Sequence, residues 1–419
     1  MVGPKSPLMN KNRSVDHHSA WFIAILLWAT TAGMTAFEIV PASVLSLLVS
    51  DLSVTSTAVS WLVSIFILGM VILSIPAGVL LDRRNNRHII LISVVLFLFS
   101  TIWTVFASLA GSYWMVLFAR LVAGALNVVI WTASVNIVGT AFDRTRQGTG
   151  IGFLTTSIPG GFAISHVLTP VLAGYIGWER SFVVYGIMTT IAGLGFWLYT
   201  REFDLRTKVM VPSRRDFRKV LQNKYVWGIG GLAFAAFSLN MFFNNWLPSY
   251  LASEFYFSLT QSGIFAAVFP AIGMLARVMG GTLSDRWLGG RRKPIVLGSF
   301  IVIAPIIVGI ALLESVIILL IALVIAGFVT QMGIAVLLPY VREIVDQSVA
   351  GTALSVLNLV GFLGAFSAPV LTGYLIDTTG GYGTAFGYAT ALAVFGIVLS
   401  WVIPDVIPTS NTVPAHNNE

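Results

Sequence analysis

The sequence GVLLDR at residues 78–83 recurs as GTLSDR at residues 281–286, at an offset of 203 residues. A second pair, PVLAGYI at residues 170–176 and PVLTGYL at residues 369–375, repeats at an offset of 199. Each copy lies at the corresponding end of a corresponding apolar run, which unrelated apolar segments would rarely show. We interpret the chain as two duplicated halves related by a pseudo-two-fold axis.

The composition places these halves in a membrane. Of the 419 residues, 57% are hydrophobic and 10% are charged, whereas soluble domains carry about 25% charged residues. The apolar content excludes a disordered chain. The absence of cysteine excludes a disulfide scaffold, thiolate metal sites and cysteine nucleophiles. We therefore expect an all-α integral membrane protein.

Apolar runs of about 20 residues, the length that crosses a bilayer, occur along the whole chain. The predicted spans cover residues 20–48, 58–80, 88–107, 113–138, 149–173, 181–200, 226–250, 260–283, 294–313, 315–338, 349–375 and 383–403. The first run is too long for a signal-peptide core and no small-residue cleavage site follows it, so we expect it to be retained. The predicted fold is twelve transmembrane helices in two pseudo-symmetric six-helix bundles, residues 20–200 and 226–404.

The basic residues predict the orientation of these spans. All but three of the 24 Lys and Arg residues fall in tails or loops on one side of the membrane. Of the three, Arg180 lies on the opposite side, and Arg120 and Arg277 lie within spans. The positive-inside rule places this basic side, with both chain termini, in the cytoplasm, as in a plasma (inner) membrane.

Three polar segments flank the two bundles. The linker 201–225 contains the sequence DFRKVL at residues 216–221, with apolar residues at helical spacing and cations between them. It predicts a surface helix on anionic lipid, with a regulatory docking site as the alternative. The tails, residues 1–19 and 405–419, are polar and are expected to be disordered.

Several motifs resemble those of the major facilitator superfamily. The repeated Asp-Arg segments are similar to its signature loops, and Arg120 with Gly124 resembles its span-4 arginine motif. Asn85 stands where the loop usually has glycine, and Ala123 replaces the usual glutamine of the span-4 motif. The sequence GWERSF at residues 177–182 is similar to the segment that opens span 6. The resemblance implies a secondary transporter that works by alternating access.

The two signature loops supply candidate latch residues: Gly78, Asp82, Arg83, Arg87, Gly281, Asp285, Arg286 and Arg291. Together with helix-end electrostatics, the resemblance implies ion pairs that hold the halves together in one state and break in the other. The alternative, a cluster of cations that only stops translocation, explains the arginines but not the aspartates.

Ionisable groups inside spans are costly, by about 2.5–3.5 kcal/mol each, and are therefore candidate functional residues. Glu38, Arg120 and His166 are predicted to lie at one depth, roughly 10–15 Å below the outer surface. We expect a proton-coupling network in which Arg120 controls the ionisation of Glu38. The alternative is a structural Glu38–Arg120 pair beside a buried histidine. The second half has no matching charges, so the common fold does not require them.

Arg277 is the other arginine within a span. The sequence GMLARVMGG at residues 273–281 resembles the second-half arginine segment of nitrate/nitrite porters, whereas Ser74 occupies the place of their first-half arginine. One guanidinium can still bind one carboxylate in bidentate fashion. We predict an anion contact, with a structural role near the cytoplasmic gate as the alternative.

In the superfamily that the chain resembles, spans 1, 4, 7 and 10 line the substrate cavity. The candidate substrate-binding residues are Asn127, Trp131, Asn240, Asn244 and Gln331, together with Arg277. Amides and aromatic rings can bind a small polar solute. Amides in spans also form hydrogen bonds between helices, which is the alternative for each of them.

The sequence shows no metal-ligand cluster and no phosphate-binding glycine loop, so we expect no metal, no cofactor, no enzyme activity and no ATP-driven transport. The predicted function is proton-coupled uptake of a small solute, and Arg120 and Arg277 favour an organic acid or other small anion. The leading alternative is a proton-driven antiporter that exports amphipathic or cationic compounds, and a non-transporting receptor is a minor one. The expected partners are the lipid bilayer, the substrate and protons, without nucleic acid, and we expect a monomer.

Overall fold

The structure, a computed structural model, describes residues 15–143, 145–203, 205, 214–346 and 349–405. The side chains of residues 75, 82 and 214–217 lie outside this description. Nearly all described residues are helical, and twelve segments are long and apolar enough to cross a membrane. The predicted all-α membrane fold with twelve spans is therefore confirmed.

The helices are α1 His17–Ser43, α2 Leu45–Leu52, α3 Ser56–Arg83, α4 Asn86–Leu109, α5 Tyr113–Ala141, α6 Gln147–Thr155, α7 Ser157–Ile176, α8 Trp178–Tyr199, α9 Arg214–Gln222, α10 Lys224–Glu254, α11 Leu259–Trp287, α12 Lys293–Ile310, α13 Val316–Ile344, α14 Ala350–Thr379 and α15 Gly383–Val402. Spans 2, 4, 7, 8, 10 and 11 are thus α3, α5, α10, α11, α13 and α14.

Two predicted spans are divided in the structure. Span 1 ends as α1 at Ser43 and continues after Val44 as the short helix α2. Span 5 consists of α6 and α7, with a turn at Thr156. The Thr156 hydroxyl donates to the Phe153 carbonyl at 2.7 Å, a bond that competes with the helical ladder and bends helices. Hydropathy does not detect either division.

The start of α1 is fixed by a side-chain cap. The Asp16 carboxylate accepts a hydrogen bond from the Ser19 N–H at 3.0 Å, which satisfies one of the free donors of the first turn. The hydrogen bonds of Ser19 hold the pKa of Asp16 below its ordinary value. Residues 17–19 of the predicted tail are therefore helical, whereas residues 1–14 and 406–419 lie outside the described residues.

The described residues form two compact units. Unit 1 comprises the described part of Met1–Val211 with Phe243–Met274 and Pro369–Gly380. Unit 2 comprises that of Pro212–Phe242, Leu275–Ala368 and Gly381–Glu419. Unit 1 therefore holds the first six spans and the predicted extracellular ends of α10, α11 and α14. The division of the sequence into halves 20–200 and 226–404 stays a prediction.

The predicted helix in the linker is present as α9. Val220 on this helix is buried, whereas Arg218, Lys219 and Leu221 are exposed. The helix is confirmed, and its contact with anionic lipid stays a prediction.

Glycines allow α3 and α5 to pack backbone against backbone in unit 1. A Cβ atom on Gly124 of α5 would overlap the Phe66 carbonyl of α3, and one on Gly69 of α3 would overlap the Leu121 carbonyl of α5. Small residues at such crossings bring transmembrane helices into van der Waals contact where lipid supplies no hydrophobic driving force.

Gly124→Ala should lower the free energy of unfolding by about 1–3 kcal/mol, because the added methyl group forces α3 and α5 apart. Thermal unfolding of the purified protein in detergent measures this change. Gly152→Ala is the matched control, since a Cβ atom there meets nothing within 4 Å. Equal melting temperatures for the two variants would show that the close packing of α3 and α5 is not needed.

Candidate functional site

Arg120 lies in α5 and is completely buried, with 0% of its surface exposed. Its guanidinium donates to three backbone carbonyls: to Glu38 at 2.6 Å, to Phe37 at 3.4 Å, and to Leu62 of α3. The rings of Phe37, Phe66 and Phe182 surround it, with centroids 5.1, 5.7 and 5.5 Å from Cζ. Arg120 therefore joins α1, α3 and α5 through a desolvated cation.

Pro41 explains why one carbonyl of α1 lacks a helical donor and can accept from Arg120. Pro41 lies inside α1 and has no N–H, so the carbonyl four residues earlier, that of Phe37, loses its usual helical donor. One Nη atom of Arg120 donates to that carbonyl instead. Fixed dipoles of this kind are how a membrane protein satisfies a buried charge.

Glu38 is buried in α1 with 5% exposure. Its main-chain carbonyl accepts from Arg120, but its carboxylate forms neither an ion pair nor a hydrogen bond with any residue that the structure describes. Sequence analysis paired the two side chains; the structure pairs the Arg120 side chain with the Glu38 main chain. The hydrogen bonds of Arg120 to α1 therefore do not use the Glu38 carboxylate.

His166 lies in α7 and is also buried. Its Nδ1 is 3.0 Å from the Ser43 hydroxyl at the end of α1, and the Asn244 side chain lies beside the ring. Within the described ranges, no hydrogen bond joins His166 to Glu38 or Arg120. Arg120 thus contacts α1 at Phe37 and Glu38, whereas His166 contacts it at Ser43. The shared role of Glu38, Arg120 and His166 in proton coupling stays a prediction.

Three of the predicted substrate-binding residues form one hydrogen-bonded chain in unit 2. The Nε atom of Arg277 in α11 donates to Oε1 of Gln331 in α13 at 2.8 Å. The Nε2 atom of Gln331 donates to Oδ1 of Asn240 in α10, also at 2.8 Å. Gln331 is fully buried, and Asn240 has 6% exposure. Side-chain hydrogen bonds therefore link three spans, α11, α13 and α10, with Gln331 in the middle.

The other three candidates lie in unit 1. Asn127 of α5 is buried and directs Nδ2 toward the sulfur of Met70 at 3.8 Å. Trp131, one turn further along α5, is half-buried. Asn244 lies beside His166, so a predicted substrate residue neighbours a predicted coupling residue. The substrate roles of all six residues stay predictions.

The first Asp-Arg loop is joined to the end of α8. Arg87 donates to the Trp197 carbonyl from Nε at 3.2 Å and from Nη2 at 2.9 Å, and its Cζ lies 5.1 Å from the Trp197 ring centroid. Gly78 has open space where a Cβ would lie, and Arg83 is exposed. The side chain of Asp82 lies outside the described residues.

The second Asp-Arg loop forms ion pairs in unit 2. Arg292 pairs with Asp285 at 2.6 Å and with Glu343 of α13 at 3.0 Å, and Arg291 donates from Nε to Asp405 at 2.7 Å. Burial lowers the pKa of Arg292, but the hydrogen bonds and negative charges of Glu343 and Asp285 outweigh it, so the pKa lies above its ordinary value.

These contacts all join spans of the same half of the sequence. Gly281 has open space around it and Arg286 is exposed. A latch between the halves therefore stays a prediction. Sequence analysis missed Arg292, Glu343 and Asp405. Glu343 carried a usable signal, because an acid at the predicted cytoplasmic end of span 10 lies on the same side as the basic loop between spans 8 and 9.

Twelve apolar spans, duplicated motifs and desolvated arginines define a multi-pass membrane transport protein. The family model described as Major Facilitator Superfamily matches residues 21–369 and 278–418. The chain belongs to this superfamily, a group of secondary transporters rather than enzymes.

Two relatives and one solved structure illustrate this membership. A protein named "Probable L-galactonate transporter" from Escherichia coli (strain K12) is 24% identical, over 78% of this chain and 77% of the relative. A "Probable nitrate transporter NarT" from Staphylococcus haemolyticus (strain JCSC1435) is 25% identical, over 83% and 87%. A bacterial homolog of the human lysosomal transporter Spinster, solved in an inward-facing and occupied conformation, has a TM-score of 0.72 at 18% identity and covers 93% of this chain and 96% of its own. The predicted family and fold are confirmed.

Arg120→Lys should lower the free energy of unfolding by about 2–4 kcal/mol, because a single ammonium cannot reach carbonyls on both α1 and α3 and leaves buried acceptors unsatisfied. Thermal unfolding in detergent tests this expectation. Arg180→Lys is the control, since Arg180 is exposed and its hydrogen bond goes to the Ile176 carbonyl, four residues earlier in the chain. A wild-type melting temperature for Arg120→Lys would show that the three carbonyl contacts contribute nothing to the fold.

Proposed function

We propose that the chain is a proton-coupled transporter that takes up small hydroxylated organic acids. The observation that carries the proposal is the chain of hydrogen bonds from Arg277 through Gln331 to Asn240. It links a cation and two amides on three predicted spans through side-chain hydrogen bonds, which supports a binding site for a polar anion.

The hydrogen bond from Nε to the neutral amide oxygen of Gln331 orients the guanidinium of Arg277. An oriented guanidinium recognises the planar carboxylate group by paired hydrogen bonds. Because Ser74 stands at the counterpart of Arg277 in the first half, one carboxylate is a better match than an anion clamped by two arginines.

The amides of Gln331 and Asn240 suggest which other groups the substrate carries besides its carboxylate. Each amide carries both donors and an acceptor, the complement of hydroxyl groups on a substrate. The relative named as a probable L-galactonate transporter supports this class, because galactonate is a carboxylate with several hydroxyl groups. The relative named as a nitrate transporter makes nitrate the competing anion.

Glu38 is the proposed proton carrier. Glu38 is buried, and the hydrogen bond from Arg120 goes to its main-chain carbonyl rather than to its carboxylate. A proton can therefore bind or leave without breaking the contacts that join α1, α3 and α5. His166 is a proposed second proton-exchanging group, on the Ser43 side of α1.

The setting of the transporter is part of the proposal. We place it in the plasma membrane with both termini in the cytoplasm, from the distribution of basic residues. It acts on its substrate and on protons as a monomer, without nucleic acid, and α9 lies on anionic lipid with Arg218 and Lys219 toward the head groups.

Liposomes that contain the purified protein and a trapped pH dye test the substrate class. L-Galactonate added outside should acidify the lumen, and Arg277→Lys should raise the KM about tenfold or more, because one ammonium replaces a bidentate fork. Asn136→Gln, a half-buried amide of α5 outside the proposed site, is the control. A response to nitrate alone would exclude hydroxylated acids. Alkalinisation of acid-loaded vesicles by lipophilic cations would instead establish an exporter.

Glu38→Gln should abolish uptake driven by a proton gradient and leave counterflow exchange of labelled substrate unchanged, because exchange needs no net proton movement. Both assays use the same liposomes. Glu254→Gln, which removes an exposed carboxylate at the end of α10, is the control for lost charge. Active uptake by the Glu38→Gln variant at the wild-type rate would remove Glu38 from proton coupling.

A further inference from the structure

Asp377 lies near the end of α14, in span 11, and contacts the start of α3, in span 2. Its Oδ2 atom accepts the Thr57 N–H at 2.8 Å and the Thr57 hydroxyl at 2.5 Å. Both residues belong to unit 1, and both lie at ends that the basic loops predict to be extracellular. A residue of the second half thus binds a helix of the first half.

The contact completes the cap of α3. A helix begins with free N–H groups and a partial positive charge, which a carboxylate stabilises. Thr55 accepts from the Ala58 N–H at 3.2 Å, which is the local part of the cap. Asp377 supplies a further acceptor from another span, at the Thr57 N–H.

The backbones of α3 and α14 approach closely one turn below Asp377. A Cβ atom on Gly373 would lie 2.9 Å from the Thr57 Cα and 3.1 Å from the Ser60 hydroxyl. Ser60 is completely buried there. Trp246 of α10 donates to the Pro369 carbonyl of α14 at 3.3 Å. This hydrogen bond joins a third helix to the α3–α14 contact.

The duplicated fold does not require this carboxylate. At the offset of 199 that relates PVLAGYI to PVLTGYL, Asp377 corresponds to Trp178. The counterpart position is therefore an aromatic residue at the start of α8, whose indole donates to Asp51 at 2.8 Å. By this alignment Asp377 has no carboxylate counterpart in the first half of the sequence.

We propose that Asp377 is a gate residue whose carboxylate caps α3 and stabilises the closed arrangement of the predicted extracellular ends of spans 2 and 11. Alternating access requires these ends to separate, and each separation breaks both bonds to Thr57. The bonds therefore shift the equilibrium toward the closed state. This inference depends on membership of the transporter superfamily and not on the substrate proposed above.

The natural absence of cysteine gives a direct test. In a Ser60→Cys background, the new thiol is buried while the gate is closed and reacts with a water-soluble maleimide only when α3 and α14 separate. Labelling rates are measured on the purified protein in detergent, where reagent reaches both ends of the molecule. Asp377→Ala should raise the rate about tenfold, the population change expected from losing one charge-assisted contact, and Asp377→Asn should raise it less.

Glu254→Gln in the same background is the matched control. It removes an exposed carboxylate at the same predicted face whose side chain is 3.4 Å from the neighbouring Ser253 hydroxyl, and it should leave the rate unchanged. A labelling rate that is the same in the Asp377→Ala and Asp377→Asn variants as with the native aspartate would overturn the proposal. So would an equal increase in the Glu254→Gln control, because charge at the surface would then be the cause. Near-wild-type melting temperatures of the variants exclude unfolding as the source of reactivity.

Discussion

The structure of unit 1 depends on satisfying one charge that water cannot reach. Arg120 has no carboxylate partner within salt-bridge distance among the described residues, and it is held by carbonyl dipoles of α1 and α3 instead. Carbonyls of a regular helix already accept one hydrogen bond, but each oxygen has a second lone pair, which the Glu38 and Leu62 carbonyls use for Arg120. Pro41 lacks an N–H and so leaves the Phe37 carbonyl, the third acceptor, without its usual helical donor. The phenylalanine rings around the guanidinium exclude water and add the attraction of their faces for a cation.

The twelve spans, the duplicated motifs and the positions of the intramembrane charges follow directly from the sequence. Each can be found from the order of residues alone. A helix needs about 20 apolar residues to cross a bilayer, and a charge within such a run is costly and therefore marks a candidate functional residue. The chain Arg277–Gln331–Asn240 was partly visible for the same reason, since all three are polar residues within spans. What the sequence could not show is that they bond to one another, because that depends on how three helices are rotated.

The partners of the charged residues were less predictable. Glu38 and Arg120 attract each other as formal charges, and counting charges paired their side chains. The observed bond goes to the Glu38 main chain, whose acceptors do not appear in a count of charged residues. The same limit applies to Asp285, which pairs with Arg292 rather than with its sequence neighbour Arg286. Asp377 was overlooked because a carboxylate at a span end looks like ordinary solvent-facing polarity until the opposite helix start is known.

The carbonyl contacts of Arg120 have a consequence for how the protein is made. A chain enters the membrane from its N-terminus, so α1 and α3 are already in place when α5 follows. The acceptor carbonyls of Phe37, Glu38 and Leu62 are therefore already in the membrane when Arg120 is inserted. Arg277 meets the opposite order, because α11 is made before α13 brings Gln331. The second half therefore inserts Arg277 before Gln331, which accepts the hydrogen bond of its Nε atom, has been made.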